Sequence, residues 1–187
     1  LFPVESDTKG LSVEADPGMG LRAAGMGRLI LDEVSVPATA LLGEVEGDAA
    51  ATDYANVVRL SRLGWAALAA GTAKAMLDYV IPYVNEREAF GEPISNRQAV
   101  AFMVATMATE VDSIRLVMLR GASRAEQGLS FAREAALARK LTIDKGLQIG
   151  LDGVQLLGGH GFTKEHPVER WYRDLRGAGI GEGGVVL

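Results

Sequence analysis

The chain of 187 residues contains no cysteine, which excludes a disulfide framework, a thiolate metal site and a cysteine nucleophile. Histidine is nearly as scarce. His160 and His166 are the only two, and no acidic cluster at metal-ligand spacing joins them, so zinc or iron chemistry is not indicated and no metal site is expected. No apolar run approaches the roughly 18 residues needed to span a bilayer. Positive charge is not in excess either: the formal net charge of −5 argues against a nucleic-acid surface or a polybasic membrane surface. Nothing resembles a signal or transit peptide.

What is present is the composition of a globular protein, 48% apolar and 23% charged, in a length that can bury a real core. The first residue is Leu1 rather than Met, and the chain opens in the middle of a pattern, so it is expected to be part of something longer. Leu11 to Ala15 alternates as a strand does, and Arg28 to Val36 is rich in apolar residues before Pro37 stops it. Asp16-Pro17-Gly18 and Gly25-Met26-Gly27 between them are turn chemistry. Two strands are too few for a stable sheet. Residues 1–48 are therefore expected to be an incomplete β-domain whose partners lie in other sequence.

From about Ala49 the period becomes helical. Val57, Leu60, Leu63, Leu68, Gly71, Ala75, Leu77 and Val80 recur at spacings of three and four in one segment ending near Glu86. A second segment is predicted from about Asn96 to Gly128, with Val100, Met103, Met107, Val111, Ile114 and Met118 on one stripe. A third starts near Ser130 and runs past Leu151, and a short fourth covers about His166 to Asp174. Long amphipathic helices with short connections make an antiparallel bundle. The expected fold is mainly α: a four-helix-type bundle over residues 49–187, preceded by the partial β-domain. Lys140, Lys145, Arg133 and Arg139 read as a solvated face, and the methionines as core packing.

Three stretches carry possible chemistry. Gly181-Glu182-Gly183-Gly184 puts one carboxylate among residues with no side chain, so a substrate can be laid directly against it. Alone, such a sequence is more often a solvated turn. Arg87-Glu88-Ala89-Phe90-Gly91 combines a guanidinium that can fork onto phosphate oxygens with an apolar ring, although each residue alone reads as an ordinary helix end or core position. Gln155 to Phe162 holds Gly158-Gly159-His160-Gly161, which in isolation is a helix C-cap and turn. It follows no strand and is not a dinucleotide fingerprint of the βαβ type. His160 and His166 are assigned no role beyond a structural or solvated one.

Taken together and in order, these motifs resemble the acyl-CoA dehydrogenase family. Gly27 to Pro37 with Leu41-Leu42-Gly43 is similar to the end of that family's middle β-domain. Arg87-x-x-Phe90-Gly91 with Gln98 is similar to its Arg-x-x-Phe-Gly motif, and Gln155 to Phe162 to its Gln-x-x-Gly-Gly-x-Gly-Phe motif. Pro167-Val168-Glu169-Arg170, Arg173-Asp174 and Glu182 match its closing motif in register. The resemblance implies an FAD-dependent oxidation of an acyl-CoA thioester, with Glu182 as the base that takes the α-proton while a hydride leaves to flavin N5. A branch that keeps its base before an arginine of the first long helix is not matched, because Ser61 precedes Arg62 here. By the same resemblance Arg87, Phe90 and Gln98 grip the ADP part of a flavin held mainly by a neighbouring subunit. Gln155, Gly158 and Gly159 touch the same cofactor region. Arg62 and Gly183 fall near the substrate.

The resemblance further implies a homodimer or homotetramer and an electron-transfer flavoprotein or similar acceptor. It also implies a cytoplasmic location, or the mitochondrial matrix in a eukaryote. Two departures from the family pattern stand out. Gly184 replaces a hydroxyl residue, and Gly181 replaces the usual aromatic before the base, which implies a roomier or more mobile site. An acyl-CoA oxidase on the same scaffold and a catalytically silent assembly subunit are the alternatives.

Overall fold

The structure, a computed structural model, describes residues 1–42 and 54–181. Two strands, β1 (Leu11–Ala15) and β2 (Gly27–Leu31), pair antiparallel with Leu11 opposite Leu31 and Ala15 opposite Gly27. β2 ends at Leu31 rather than Val36. The Asp32 N–H donates to the Gly10 carbonyl at 2.9 Å and closes the ladder, and Glu33 then adopts a φ of 49°, a left-handed conformation that ends an extended run. Val13, Leu29 and Leu31 are exposed, so this hairpin keeps an apolar face in solvent. What holds the segment is α4 of the bundle. The Arg173 guanidinium donates to the Met19 carbonyl at 2.8 Å, and the Asp174 carboxylate accepts the Leu21 N–H at 2.7 Å.

Four helices follow: α1 (Tyr54–Glu86), α2 (Gln98–Glu126), α3 (Ala132–Leu157) and α4 (Val168–Ala178). The three long ones pack mutually, and α4 lies on α3 and α1, which is the expected bundle with a short fourth member. On α1 the buried positions Leu63, Ala66, Ala69, Ala70, Ala73, Met76, Leu77, Val80 and Val84 recur every three or four residues, so one stripe faces inward. The alanines let neighbouring backbones approach. A Cβ added at Gly153 of α3 would lie 2.2 Å from Met76 Sδ, so the α1–α3 contact is closed by a glycine facing a methionine. Met76, Val80, Met107, Ile114, Ile149 and Leu175 form the fully buried centre. Met103 and Met118 are only partly buried.

Element ends differ from expectation by a few residues. Ile94–Asn96 is a 3-10 turn, so α2 starts at Gln98. α3 starts at Ala132 and α4 runs on to Ala178. The onset of α1 expected at Ala49 lies outside the described residues. The basic face of α3 is also more committed than expected. Lys140 pairs with Asp144, and Lys145 Nζ lies 2.6 Å from Glu110 Oε1 on α2, which raises the lysine pKa through that hydrogen bond and the carboxylate charge. Glu134, almost fully buried, faces Arg120 at 3.3 Å and Arg124 at 3.6 Å, and this triad ties the start of α3 to the end of α2. Among the described residues no helix is long and apolar enough to cross a membrane, and no three His, Cys, Asp or Glu side chains converge as a metal-binding group.

Candidate functional site

The bundle end formed by the last turn of α1, the first turns of α2 and the end of α3 carries the Arg87 and Gln155 motifs together. After α1, the chain makes a miniature hairpin, β3 (Glu88–Ala89) and β4 (Glu92–Pro93), with Ala89 opposite Glu92. Its two turn residues, Phe90 and Gly91, have φ of 59° and 85°, the pairing a two-residue hairpin turn requires. Glycine takes that conformation freely. For Phe90 it costs about 1–2 kcal/mol, and the ring gains no burial in exchange, being 94% exposed. A strained, uncovered aromatic is a mark of function rather than of packing. Gly91 thus turns a hairpin.

Beside it a groove of about 580 Å³ is lined by Tyr83, Arg87, Phe90, Arg97, Met103, Gln155, Gly158, Gly159 and His160, among others. Among the described residues no carboxylate lines it. The Arg97 guanidinium stacks over the Phe90 ring at 5.0 Å from the centroid, a cation–π contact. Among the described residues the Arg87 side chain has no carboxylate partner, although Glu86 and Glu88 flank it in sequence. Across the groove, α3 ends at Gly158, whose φ of 57° and ψ of −133° are open only to glycine. The 3-10 turn Gly158–Phe162 follows.

Five of the expected cofactor residues, Arg87, Phe90, Gln155, Gly158 and Gly159, therefore share one groove. Gln98 does not line it. It is the exposed first residue of α2, and the groove is reached by its neighbour Arg97, because successive residues at a helix start point in different directions. Arg62 is half-buried on α1, 25 residues before Arg87, or about 37 Å along the helix. It belongs to a different part of the molecule. Glu182 and Gly183 lie outside the described residues.

Three contributors to the groove, Tyr83, Arg97 and His160, were not legible as site residues. Tyr83 sits one turn before Arg87, and its backbone carbonyl accepts the Arg87 N–H at 2.9 Å. Its hydroxyl pairs with His160 Nδ1 at 2.8 Å, while Tyr79 pairs with His166 Nδ1 at 2.8 Å. The two imidazoles stack with centroids 5.2 Å apart. The histidines are thus structural, joining α1 to the loop after α3, and His160 also forms groove wall. The i, i+4 spacing of Tyr79 and Tyr83 on α1 was the available signal.

At the other end of the described chain, Gly181 packs directly on α1. The space that a side chain at Gly181 would fill is taken by the indole of Trp65, since a Cβ there would lie 2.5 Å from Trp65 Cε2. Ile180 and Gly181 line a smaller cavity of about 280 Å³ with Met26, Arg173 and Arg176. Between that cavity and the groove, Glu169, Tyr172, Arg173 and Gln155 line a third, of about 390 Å³. There Glu169 accepts from Arg173 Nε at 2.8 Å and from Nη2 at 3.2 Å. This forked bond holds the Glu169 carboxyl below its ordinary range and raises the Arg173 guanidinium.

Known proteins resemble the chain in both sequence and fold. Residues 54–184 match the family described as acyl-CoA dehydrogenase, C-terminal domain. An acyl-CoA dehydrogenase of Bacillus subtilis is 37% identical over 97% of the chain and 48% of its own length. A caffeyl-CoA reductase-Etf complex subunit of Acetobacterium woodii is 34% identical over 97% of the chain and 48% of its own length. The structure of butyryl-CoA dehydrogenase from Megasphaera elsdenii superposes with a TM-score of 0.87 at 29% identity, covering 97% of this chain and 47% of that one. The chain spans about half the length of the relatives it matches. On the family match, the identities and the shared fold, the chain belongs to the acyl-CoA dehydrogenase family.

Proposed function

We propose that this chain is the C-terminal part of an FAD-dependent acyl-CoA dehydrogenase, contributing the dinucleotide groove and the proton-accepting carboxylate. Residues 1–48 belong in this reading to the middle β-domain and residues 49–187 to the helical domain. The observation that supports it best is the groove lined by Arg87, Phe90, Arg97, Gly158 and Gly159, with no carboxylate of the described residues in its wall. The donor set fits a dinucleotide. Two guanidiniums suit pyrophosphate oxygens, the ring and the apolar floor suit a flat base, and the glycines let backbone N–H groups come close. Gln155 stands at the edge of that groove and of the neighbouring cavity. Gln98, displaced from the groove, is kept only as an outer contact.

When bound, the flavin supplies the acceptor for a hydride from the β-carbon of the acyl group. The chain's own part is the α-proton. Glu182 takes it as a carboxylate, the C–H electron pair becomes the new α,β double bond, and the β-hydrogen departs with its pair. Glycines on both sides of Glu182 let its backbone N–H donate to the thioester carbonyl, where charge develops, a donor worth about 3 kcal/mol. Gly183 lets the acyl chain lie against that backbone, and Arg62 serves the coenzyme end of the substrate.

The exposed Leu60, Leu68, Leu116, Leu119, Leu137 and Phe102 on the long helices suit burial between subunits, in line with a homodimer or homotetramer whose neighbour completes the flavin site. The partner that would take up the electrons is an electron-transfer flavoprotein or a similar acceptor. The test is the full-length Glu182→Gln variant. It should bind FAD normally and lose at least about 1,000-fold in turnover. Retained turnover would overturn the assignment of the base. Oxygen consumption matching substrate use would instead support the oxidase reading, and neither activity the assembly-subunit reading.

A further inference from the structure

The two stacked histidines that join α1 to the loop after α3 are not partnered alike. The Tyr83 hydroxyl lies 3.3 Å from the Leu157 carbonyl oxygen and 2.8 Å from His160 Nδ1, and its single proton can go to only one of them. When it donates to the carbonyl, its oxygen is left to accept Nδ1–H, so the relay from His160 through Tyr83 to Leu157 is complete with that proton on His160. Tyr79 differs. Among the described residues its hydroxyl meets only His166 Nδ1, at 2.8 Å, so it donates there and holds His166 as a neutral acceptor. These tautomers are assigned from the hydrogen-bond partners. His160 Nε2 has no hydrogen-bond partner among the described residues, and the residue is exposed in the groove wall. His160 is therefore the imidazole that can take a second proton and offer it to a ligand. His166, stacked against it at 5.2 Å with the planes 27° apart, stays an uncharged ring.

The groups around the pair favour charge on His160 only when an anion is present. α1 brings Tyr79, Tyr83 and Arg87, and Arg97 stands at the start of α2. α3 presents no charged side chain to the groove, and α4 meets Tyr79 with the uncharged Trp171. Lys164 and Glu165, between the histidines in sequence, are exposed, and Lys164 acts on Glu169. Without a ligand, the guanidiniums of Arg87 and Arg97 oppose a third cation beside them; an incoming pyrophosphate reverses that balance. We propose that His160 is a further binding residue of the dinucleotide groove, taking up a proton as the ligand's phosphate arrives and donating Nε2–H to it. The inference rests on the reading of this groove as the site of the flavin's ADP end. Binding is then linked to pH, because a ligand that favours the protonated imidazole binds more tightly where protons are plentiful. Imidazole is the side chain that changes charge between about pH 5 and pH 8, whereas guanidinium and a pyrophosphate diester keep theirs.

The test is titration of the full-length apoprotein with FAD across the imidazole range, from about pH 8 to about pH 6, followed by flavin fluorescence. The dissociation constant should fall about tenfold over that range, which is what one charge-assisted hydrogen bond contributes. His160→Gln, which has a side-chain donor but no titrating group, should lose the pH dependence. Tyr83→Phe, which removes the acceptor of Nδ1–H, should flatten it. His166→Phe keeps a stacked ring that cannot be charged and should retain it. Calorimetry of the parent in buffers of different ionisation enthalpy reads the linkage without any variant, and should find protons taken up on binding at about pH 7; it decides the matter even where a substitution unfolds the protein. FAD binding by the parent that is independent of pH and takes up no proton overturns the role of His160 alone. So does a pH dependence that survives His160→Gln or vanishes in His166→Phe, or a His160→Gln variant that weakens binding equally at every pH. A folded protein that binds no FAD at any pH overturns the underlying reading of the groove as well.

Discussion

The glycines at 158, 159 and 161 look interchangeable in sequence, yet the structure assigns each a different reason, and alanine at each should therefore do something different. At Gly161 the added Cβ would lie 2.3 Å from the Val154 carbonyl oxygen and 3.0 Å from its carbonyl carbon. Both are backbone atoms of α3, so about 1 Å of main-chain movement in a dense interior is required, at a cost of about 3 kcal/mol. At Gly158 there is open space, but φ of 57° with ψ of −133° places a Cβ-bearing residue in a region costing about 1–3 kcal/mol. Gly159 has neither problem: nothing lies within 4 Å of its Cβ position, and its φ is not in the left-handed range. Alanine there should be neutral, or stabilise by about 0.4–1 kcal/mol through the unfolded chain. Because Gly159 faces the groove, its methyl should instead obstruct the cofactor and weaken FAD binding by about tenfold, equivalent to about 1.4 kcal/mol.

Chemical denaturation of the three full-length variants, with flavin content measured in parallel, separates these effects. The stability order should be Gly159→Ala above Gly158→Ala, with Gly161→Ala no better than Gly158→Ala, while flavin is lost in Gly159→Ala without loss of fold. If Gly161→Ala is as stable as the parent, or if Gly159→Ala loses stability like the other two, the physical account of the motif is wrong.

Further outcomes concern the charges. Arg87→Ala and Arg97→Ala should each weaken FAD binding by about 10- to 100-fold, as loss of a charged hydrogen bond implies, and lysine should not restore Arg87 fully because it lacks the fork; fluorescence titration of apoprotein with FAD reads both. Arg173 lowers the Glu169 pKa, so that pair stabilises the fold above the unfolded carboxyl pKa of about 4.3, and the contribution is lost as pH falls through the lower folded value. Glu169→Gln should therefore flatten the fall in denaturation midpoint between about pH 5 and pH 3. Asp152 carries the opposite sign, since burial raises its pKa: protonation relieves it as pH falls through that raised value, and Asp152→Asn should be neutral or stabilising at pH 7 when measured by the same titration.

The architecture was legible because it rests on periodicity. The stripe Leu63, Ala66, Ala70, Ala73, Leu77 and Val80 is buried as a 3.6-residue repeat demands, and helix ends missed by a few residues where 3-10 turns intervene. The groove was legible only through motif resemblance, since nothing in the spacing of Arg87 and Gln155, 68 positions apart, says that α1 and α3 end together. Arg97 was hidden by its neighbour Gln98, and choosing between adjacent residues at a helix start takes the actual course of the chain. Trp65 was hidden for a different reason. Its partner Gly181 has no side chain to announce a contact, and close approach of a ring to a glycine leaves no pattern in composition or period.

The central claim is that an acyl thioester is oxidised beside a flavin whose ADP end lies in the Arg87–Phe90–Gln155 groove. Its most direct test is the visible spectrum of the full-length protein, purified with FAD and titrated anaerobically with straight-chain acyl-CoA thioesters. The account predicts that at least one thioester bleaches the flavin band at stoichiometric concentration, and that Glu182→Gln abolishes the bleaching while leaving the bound flavin in place. A flavin band unmoved by every thioester, or a protein that holds no flavin although folded, would contradict it.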